Sequence, residues 1–354
     1  MSRDWESTFS FWAKPPSDTE QTKCENAERM IRKAIKASPQ LGQRNIEVFT
    51  QGSYRNNTNV RLDSDVDICI RCMDCIYTDY TFAPDLSDSD AGLVPSSYTY
   101  AQFKNEVEAA LKDYFGASAV KRGNKAFDVH ANTYRVDADV VPAFEHRRYG
   151  KRNDGTIYYH SGTELLPDGG GRIINWPQQN YDNGVAKNEA TGRTYKRVVR
   201  ILKNLRNEME EEGIGAATPI PSYLIECLVW NVPNEGFGHS TYKADVRYVL
   251  AHLFNETRNF ESCGEWGEVN ELKYLFRSAQ PWTREEANRF LDAAWDYIGF
   301  EWTCAFSPPC IRISQRGRRN MGAYADRHGY HFATSVVSPA VPRHRGNGVA
   351  VVTI

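Results

Sequence analysis

The chain has 354 residues, of which 41% are hydrophobic and 25% charged, a composition typical of a folded globular protein. Forty-three basic residues against 45 acidic ones give a formal charge of −2, so the molecule as a whole has no field that would attract nucleic acid or anionic lipid. No stretch approaches the roughly 20 apolar residues that span a bilayer, and the N-terminus lacks the apolar segment of a secretory signal. We therefore expect a cytoplasmic protein of two lobes, with no membrane partner and no nucleic-acid activator. Its eight dispersed cysteines favour reduced thiols over a disulfide framework.

The N-terminal half alternates helical and strand patterns. An amphipathic helix is expected over about residues 17–37, ending before Pro39, and another over 101–115. Apolar residues that alternate or run together predict four short strands: 46–49, 66–70, 126–130 and 134–141. Residues 78–99 are polar and are expected to form a loop. Strands interleaved with helices in this way indicate a mixed sheet.

The second half is expected to be mainly helical. A glycine-rich and polar connection is predicted over residues 147–192. Helical periodicity then appears in four segments: 195–212, 222–231, 241–257 and 283–298. Thr283 and Glu286 have the spacing of a capping box at the start of the last segment.

These patterns predict three parts. Residues 1–165 form a catalytic lobe with the sheet, residues 166–300 a helical lobe, and residues 301–354 a tail. From about Phe306 the tail is rich in Arg, Pro and Gly without steady periodicity, so no structure is assigned to it.

The most informative residues lie between the first two strands. Asp65 and Asp67 are two positions apart, so on a strand both side chains point to the same face. Two adjacent carboxylates repel each other unless a hard cation lies between them, and Mg²⁺ bound by carboxylates and substrate phosphates is the common arrangement. Upstream, Gly52 allows the backbone to approach a ligand closely, and Ser53 opens a segment whose free amides can contact phosphate oxygens. The pattern predicts a metal-dependent triphosphate site.

A third carboxylate is needed if one metal activates an attacking hydroxyl while another steadies the leaving pyrophosphate. The strand at 136–144 offers both Asp137 and Asp139. The two share a face by the same alternation, so spacing alone does not choose between them.

A calcium-binding loop is the sharpest alternative for this segment. Asp63, Asp65 and Asp67 occupy positions one, three and five of an EF-hand pattern, with Asp74 at position twelve. Position six, however, is Ile68 instead of glycine, and the flanking residues have strand patterns. A solvated turn is the other alternative, since most Asp-x-Asp pairs have no catalytic role.

Zinc is a weaker hypothesis. Cys69, Cys72 and Cys75 repeat every three residues, which alternates faces along a strand, and no histidine stands nearby. A second set, in the tail, lacks the close pair spacing of zinc sites: Cys304, Cys310, His328 and His331.

The helical half offers a basic stripe. Lys196, Arg200 and Lys203 follow i, i+4, i+7 spacing, opposite an apolar stripe of the same helix, so one face can address polyphosphate while the other packs. The alternative is a solvated helix face. Further along, Ser222 is placed either to cap the next helix or to contact a ligand.

At these residues the sequence resembles the polymerase-beta-type nucleotidyltransferases. Within them it resembles the bacterial cGAS/DncV-like nucleotidyltransferases (CD-NTases), relatives of animal cyclic GMP-AMP synthase and oligoadenylate synthase. The resemblance covers about residues 10–300. It is carried by Gly52-Ser53, by the Asp-x-Asp at 64–68 and by the run 139–144, which matches the family's third-aspartate strand and favours Asp139 over Asp137.

Two further matches lie in the helical half. Arg200 and Lys203 resemble the family's Arg-x-x-Lys helix, and Pro221-Ser222-Tyr223 resembles the start of the helix facing the donor nucleotide. The segment 174–184 also resembles bacterial members, without an assigned chemical role.

The resemblance implies an α+β fold: a polymerase-beta-like nucleotidyltransferase lobe with a mixed sheet, plus an α-helical lobe, with the active site in the cleft between them. It implies two Mg²⁺ ions, with Mn²⁺ as a substitute, held by Asp65, Asp67 and Asp139. Five further residues are expected to contact substrate: Gly52, Ser53, Arg200, Lys203 and Ser222.

The implied activity is synthesis of a cyclic di- or trinucleotide second messenger from ribonucleoside triphosphates, with release of pyrophosphate, in bacterial anti-phage defence (CBASS). A downstream effector would recognise the product, and no regulatory protein can be named from the sequence. One alternative is another polymerase-beta-like transferase that modifies an RNA end or a small molecule. The other is a catalytically silent scaffold that binds nucleotide or Ca²⁺, against which the intact Asp65, Asp67 and Asp139 argue.

Overall fold

The structure is a computed structural model of the chain, and it describes residues 3–60, 66–301 and the backbone of 349–351. Residues up to Phe300, together with the short C-terminal strand, belong to one compact unit. The α+β architecture is confirmed, with a mixed sheet in the first half and helices in the second.

Two long strands organise the sheet. β2 (Val66–Phe82) and β6 (Ala138–Lys151) run parallel to each other at its centre. The other strands pair antiparallel along them: β1 (Ile46–Thr50), β3 (Val94–Pro95), β4 (Val120–Arg122), β5 (Phe127–Val129), β7 (Ile157–Leu165), β8 (Ile173–Asn175) and β9 (Val349–Val351). β1 pairs with the beginning of β2, so the segment that follows β1 lies next to the first residues of β2.

Two helices cover one face of the sheet, α2 (Asp18–Ala37) and α4 (Tyr100–Phe115). They bury their apolar stripes against the sheet in one hydrophobic cluster. Phe103 of α4, for example, packs 5.4 Å from the Phe144 ring of β6. Because strand side chains alternate, Asp67 and Asp139 project to the opposite face, which the helical lobe covers.

Short and long helices build the rest: α1 (Trp5–Trp12), α3 (Gly52–Arg55), α5 (Pro177–Ala190), α6 (Tyr195–Glu211), α7 (Ser222–Trp230), α8 (Tyr242–Glu256), α9 (Phe260–Cys263) and α10 (Arg284–Ile298). The four predicted helical segments correspond to α6, α7, α8 and α10. The capping box of α10 is confirmed, since Glu286 N donates to Thr283 Oγ1 and Thr283 N donates to the Glu286 carboxylate. The N-terminal α1 packs on this lobe, with Trp5 5.8 Å from the Tyr297 ring.

The expectation of a long irregular connection over residues 147–192 is wrong. This stretch completes β6, forms β7 and β8, and ends in α5. The β6–β7 hairpin was missed because much of β7 is exposed and carries polar and aromatic residues without strict alternation. The sheet therefore continues to Asn175, beyond the expected lobe boundary at residue 165.

The described residues bear on the calcium and zinc alternatives. The six cysteines among them are unpaired and buried. Asp67 and Asp74 lie on the single strand β2, which is incompatible with an EF-hand loop between them. Asp63 and Asp65, and the tail residues Cys304, Cys310, His328 and His331, lie outside the described ranges. In the described part of the chain, no helix has the length and apolarity needed to cross a bilayer.

Candidate active site

The glycine-serine turn is built directly against Asp67. Gly52 begins α3 immediately after β1, with a left-handed backbone (φ +65°), and Gln51 N donates to Asp67 O at 2.9 Å. A Cβ on Gly52 would lie 2.2 Å from Asp67 Oδ2, a distance at which real atoms overlap. Glycine is therefore required here for two reasons, the backbone conformation and the closeness of the carboxylate.

Asp67 and Asp139 are register partners on the parallel strands β2 and β6, so their side chains leave the same face side by side. Asp137 differs in its surroundings. Its Oδ1 accepts a 2.6 Å hydrogen bond from Ala131 N, and its side chain is about half exposed. The two aspartates that spacing left equivalent thus occupy different environments, and Asp139 is the one aligned with Asp67. Asp65 lies outside the described residues.

A cavity of about 300 Å³ opens beside Asp67, between the sheet and the helical lobe. Five predicted site residues lie on its wall: Gly52, Ser53, Asp67, Lys203 and Ser222. The other lining residues are Gln51, Asn56, Asn175, Trp176, Pro177, Asn180, Tyr223, Glu226, Glu268 and Asn270. Asp139 and Arg200 are not on this wall. The cavity thus combines the glycine-serine turn, one aspartate and a buried lysine.

Glu226 joins the two lobes at the floor of the cavity. Its carboxylate accepts from Asn56 Nδ2 at 3.1 Å and from Thr58 Oγ1 at 2.6 Å, both in the segment after α3. Lys203 Nζ of α6 lies 3.2 Å from Glu226 Oε2 and 3.2 Å from Thr58 Oγ1. Since Lys203 and Glu226 are both nearly inaccessible to solvent, each supplies the charge that the other needs.

Sequence reasoning missed Glu226. The signal was present, because it is the single charged residue in an otherwise apolar helix, α7. A lone charge on an apolar helix must find a partner when the helix is buried. Which partner it finds depends on residues more than 160 positions away in the chain.

The opposite wall is polar and internally hydrogen-bonded. Tyr223 OH lies 3.0 Å from two acceptors, Asn180 Oδ1 and Glu268 Oε2, and Asn270 Nδ2 donates to the Glu268 carboxylate at 2.6 Å. Burial raises the pKa of Tyr223 well above its ordinary value, so the phenol stays protonated. Fixed donors and acceptors of this kind are suited to the polar edge of a ligand in an otherwise enclosed site.

Comparison with known proteins identifies the family of the chain. Residues 182–299 match the family described as the cGAS/DncV-like nucleotidyltransferase C-terminal helical domain. A cyclic dipyrimidine nucleotide synthase CdnE from Legionella pneumophila is 52% identical over 298 residues, which are 84% of this chain and 99% of that protein. The chain belongs to the cGAS/DncV-like nucleotidyltransferases. It is therefore a nucleotidyltransferase, as the sequence motifs predicted.

Two solved structures of CD-NTases share the fold. The CdnE cyclic dinucleotide synthase of Elizabethkingia meningoseptica with GTP and Apcpp has 36% identity and a TM-score of 0.69, covering 83% of this chain and 99% of that one. The CdnE c-UMP-AMP synthase of Rhodothermus marinus with Apcpp and Upnpp has 33% identity and a TM-score of 0.71, covering 84% and 98%.

Within this CD-NTase the basic stripe of α6 is buried, so the solvated-face alternative is wrong. Lys196, Arg200 and Lys203 are each at most 6% exposed. Lys203 reaches the cavity, whereas Arg200 does not: its Nε donates to Ala13 O at 2.8 Å and its Nη1 to Asn57 O at 2.6 Å. Burial lowers the pKa of Arg200 to about 10. In this CD-NTase, Arg200 holds the segment that follows α3 in place through its hydrogen bond to Asn57 O.

Ser222 is the first residue of α7, and the cap position is Pro221, which makes no side-chain hydrogen bond to the helix. The plain N-cap alternative is therefore wrong. Ser222 Oγ accepts from Arg206 Nη2 at 2.7 Å and lies on the cavity wall. The neighbouring Asn175, Trp176 and Pro177, part of the segment without an assigned role, line the same cavity.

The residues present suit a divalent metal ion. Carboxylate oxygens are the ligands that Mg²⁺ prefers, and Asp67 and Asp139 present two of them from adjacent strands. The missing Cβ of Gly52 leaves the Asp67 carboxylate room beside the start of α3. In the described ranges, three or more His, Cys, Asp or Glu side chains nowhere cluster as a metal site, and Asp65, the third expected ligand, lies outside those ranges.

Proposed function

We propose that the chain synthesises a cyclic dinucleotide from two ribonucleoside triphosphates, with release of pyrophosphate. The observation that carries this proposal is the meeting of Asp67, the Gly52–Ser53 turn and Lys203 in one cavity, with Asp139 aligned to Asp67 on the next strand. The relatives at 52% and 36% identity, named as cyclic dinucleotide synthases, support it.

Each chemical step is a nucleotidyl transfer. A ribose hydroxyl of the acceptor loses its proton and attacks the α-phosphate of the donor, and the bond from that phosphorus to the bridging oxygen breaks, which expels pyrophosphate. A second transfer in the opposite direction closes the ring and expels a second pyrophosphate. Positioning and charge neutralisation supply most of the rate in reactions of this class.

The protein groups divide this work. Asp65, Asp67 and Asp139 would hold two Mg²⁺ ions, or Mn²⁺ in their place. When bound, such ions lower the pKa of the acceptor hydroxyl and neutralise the leaving group. The backbone amides at Gly52 and Ser53 and the ammonium of Lys203 bind the triphosphate of the donor, and Ser222 contacts the same nucleotide. Arg200 acts through Asn57, by holding the segment after α3.

Pyrimidine nucleotides are the first substrates to test. The relative at 52% identity is named a cyclic dipyrimidine nucleotide synthase. The structure at 36% identity contains two purine nucleotides, GTP and Apcpp, and the one at 33% contains a purine and a pyrimidine nucleotide, Apcpp and Upnpp. The product would act as a second messenger on a downstream effector in anti-phage signalling.

Mass spectrometry of the products tests the proposal. Purified protein is incubated with the four ribonucleoside triphosphates and Mg²⁺, with and without EDTA, and the products are treated with phosphatase. We expect a phosphatase-resistant cyclic dinucleotide that is absent with EDTA. Absolute dependence on an added RNA or small-molecule acceptor would instead indicate another transferase. Tight Ca²⁺ binding by calorimetry, without any product, would indicate a silent scaffold.

A further inference from the structure

A second cavity, of about 370 Å³, borders Pro177, which also lines the cavity beside Asp67, here called the nucleotide cavity. Three arginines line it: Arg32 from α2, Arg55 from the end of α3, and Arg71 from β2. We call this cavity, with its remaining wall of residues 46–49, 177 and 178, the arginine pocket. None of the motifs that define the nucleotide site includes these arginines.

Arg71 is fixed to the active-site face of the sheet. It lies four residues after Asp67 on β2, so strand alternation points both side chains to the same side. Its Nη1 donates to Ser161 Oγ and Gly162 O, each at 3.2 Å, and its Nη2 lies 2.5 Å from Glu47 Oε2. Its Nε is buried without a hydrogen-bond partner, so one donor of this guanidinium is unused.

Arg55 has no carboxylate within 4.0 Å among the described residues. It lies two residues after Ser53, at the end of α3, and donates to Gln178 Oε1 at 2.5 Å. Its guanidinium and that of Arg71 share the ring of Phe49, at 5.4 and 5.3 Å from the ring centroid. Burial, above all, lowers the pKa of Arg55; the charge of Asp182 opposes this shift and that of Arg71 adds to it.

Positive charge therefore exceeds negative charge in the arginine pocket. Arg32 has Glu28 at 2.6 Å and Arg71 has Glu47, whereas Arg55 has no such close ion pair among the described residues and is attracted by Asp182 at longer range. Half-buried like charges on one ring are unfavourable unless an anion lies between them. The planar guanidinium fork matches phosphate oxygens, and a volume of this size falls within the range of about 300–1,000 Å³ typical of ligand pockets.

We propose that the arginine pocket binds the phosphate groups of a polyphosphate chain, through Arg55 and Arg71. That chain belongs either to a nucleoside triphosphate that reaches past Pro177 from the nucleotide cavity, or to a free polyphosphate compound that binds independently. The shared requirement is two or more linked phosphate groups beside the ring of Phe49. Among the described residues Glu47 is the single carboxylate on the wall, and it competes with the anion for Arg71.

Isothermal titration calorimetry with inorganic tripolyphosphate, in buffer without divalent ions, tests the proposal. Arg55→Gln is expected to weaken binding at this site about tenfold, the usual effect of losing a charged hydrogen bond to phosphate. Glu47→Gln is expected to tighten it about fivefold, since a competing negative charge is removed. Misfolding cannot raise the affinity, so a gain in Glu47→Gln shows that the weaker binding of Arg55→Gln is not merely a folding defect.

Two further variants serve as controls. Arg277→Gln changes a partly exposed arginine outside this pocket, which pairs with Glu265 and lies over the rings of Phe260 and Tyr274. This variant is expected to bind tripolyphosphate like the wild type. Lys203→Met weakens any binding of tripolyphosphate in the nucleotide cavity. The tripolyphosphate binding that depends on Arg55 and Glu47 is expected to remain in this variant. Equal affinity of wild type, Arg55→Gln and Glu47→Gln would overturn the proposal.

A competition experiment distinguishes the two sources of phosphate. The wild type is saturated with a non-hydrolysable nucleoside triphosphate and Mg²⁺, then titrated with tripolyphosphate. Persistent binding assigns the arginine pocket to a free polyphosphate. Lost binding, together with about tenfold weaker binding of the nucleotide by Arg55→Gln, assigns it to the substrate. Neither measurement needs turnover, so failure to find a cyclic product would leave this result unaffected.

Discussion

Asp67 and Asp139 stand directly opposite each other on the two parallel strands at the centre of the sheet. The register of β2 against β6 places them in step, and Gly52 leaves space for the Asp67 carboxylate. Parallel strands so far apart in sequence have a register set by the buried side chains of the opposite face, such as Ile68 and Val140. The alignment of Asp67 with Asp139 thus depends on the packing of buried side chains on the other face of the sheet as well as on the two acidic residues.

Replacing Asp139 is expected to abolish most of the activity, whereas replacing Asp137 is not. Asp139→Asn removes a charge aligned with Asp67 and should slow product formation by about a hundredfold or more. Carboxylates that hold catalytic metal ions lower the activation barrier by several kcal/mol. Asp137→Asn changes a half-exposed side chain that bonds to Ala131 N, and should retain the rate within about threefold. Pyrophosphate release measures both. Comparable losses in the two variants would contradict the assignment of Asp139.

Gly52→Ala is expected to damage both stability and activity. The left-handed backbone costs about 1–2 kcal/mol with any Cβ, and the added atom would also displace the Asp67 carboxylate. Gly192→Ala is the matched control, because Gly192 has a similar backbone angle (φ +58°) and open space around it. Urea unfolding should show a loss in both variants, and the rate of pyrophosphate release a loss in Gly52→Ala alone. Wild-type activity of Gly52→Ala would mean that its turn does not position Asp67.

The buried pair of Lys203 and Glu226 is expected to show strong coupling in a double-mutant cycle. Lys203→Met and Glu226→Gln each leave a buried group without its partner, at a cost of about 3 kcal/mol in the free energy of unfolding. The double variant should lose about 1–3 kcal/mol less than the two losses combined. The exposed pair of Arg277 and Glu265 provides the reference, with coupling below about 1 kcal/mol. Additive effects at Lys203 and Glu226 would argue against a functional ion pair.

The contact of Asp168 with Arg122 and Lys104 is expected to make stability depend on acid pH. Hydrogen bonds from Arg122, above all, hold the pKa of Asp168 at about 2, below the ordinary 3.8. A lowered carboxyl pKa contributes stability above the ordinary value, and this contribution is lost as the pH falls from about 4 to about 2. Because the side chain is 42% exposed, the contribution is about 1 kcal/mol at most.

Unfolding of wild type and Asp168→Asn, measured at several pH values, checks this expectation. The wild type should be the more stable protein at neutral pH, and the difference should shrink between pH 4 and pH 2. Arg122→Gln should remove most of the same pH dependence, because its guanidinium supplies the hydrogen bonds. A difference that stays constant through this window would show that Asp168 titrates at its ordinary value in the folded protein.

The sequence by itself determined the features that depend on near neighbours. Helical periodicity and capping residues identified α2, α6 and α10, since a helix is stabilised by contacts three and four residues apart. The short separation between the Gly52–Ser53 turn and Asp67 also identified the candidate site, because a tight turn followed by a strand has a local signature. Similarity to a known family extended these patterns to Asp139 and Lys203.

Only the tertiary structure decided how distant segments meet. Asp139 and Asp137 have different surroundings, which spacing did not reveal. Arg200 donates to backbone carbonyls, and Glu226 accepts hydrogen bonds from Lys203 and Thr58. Periodicity cannot determine such contacts, because residues far apart in the chain are brought together by the packing of whole strands and helices. The arginine pocket is a further case, since its three arginines come from separate elements that carry no common motif.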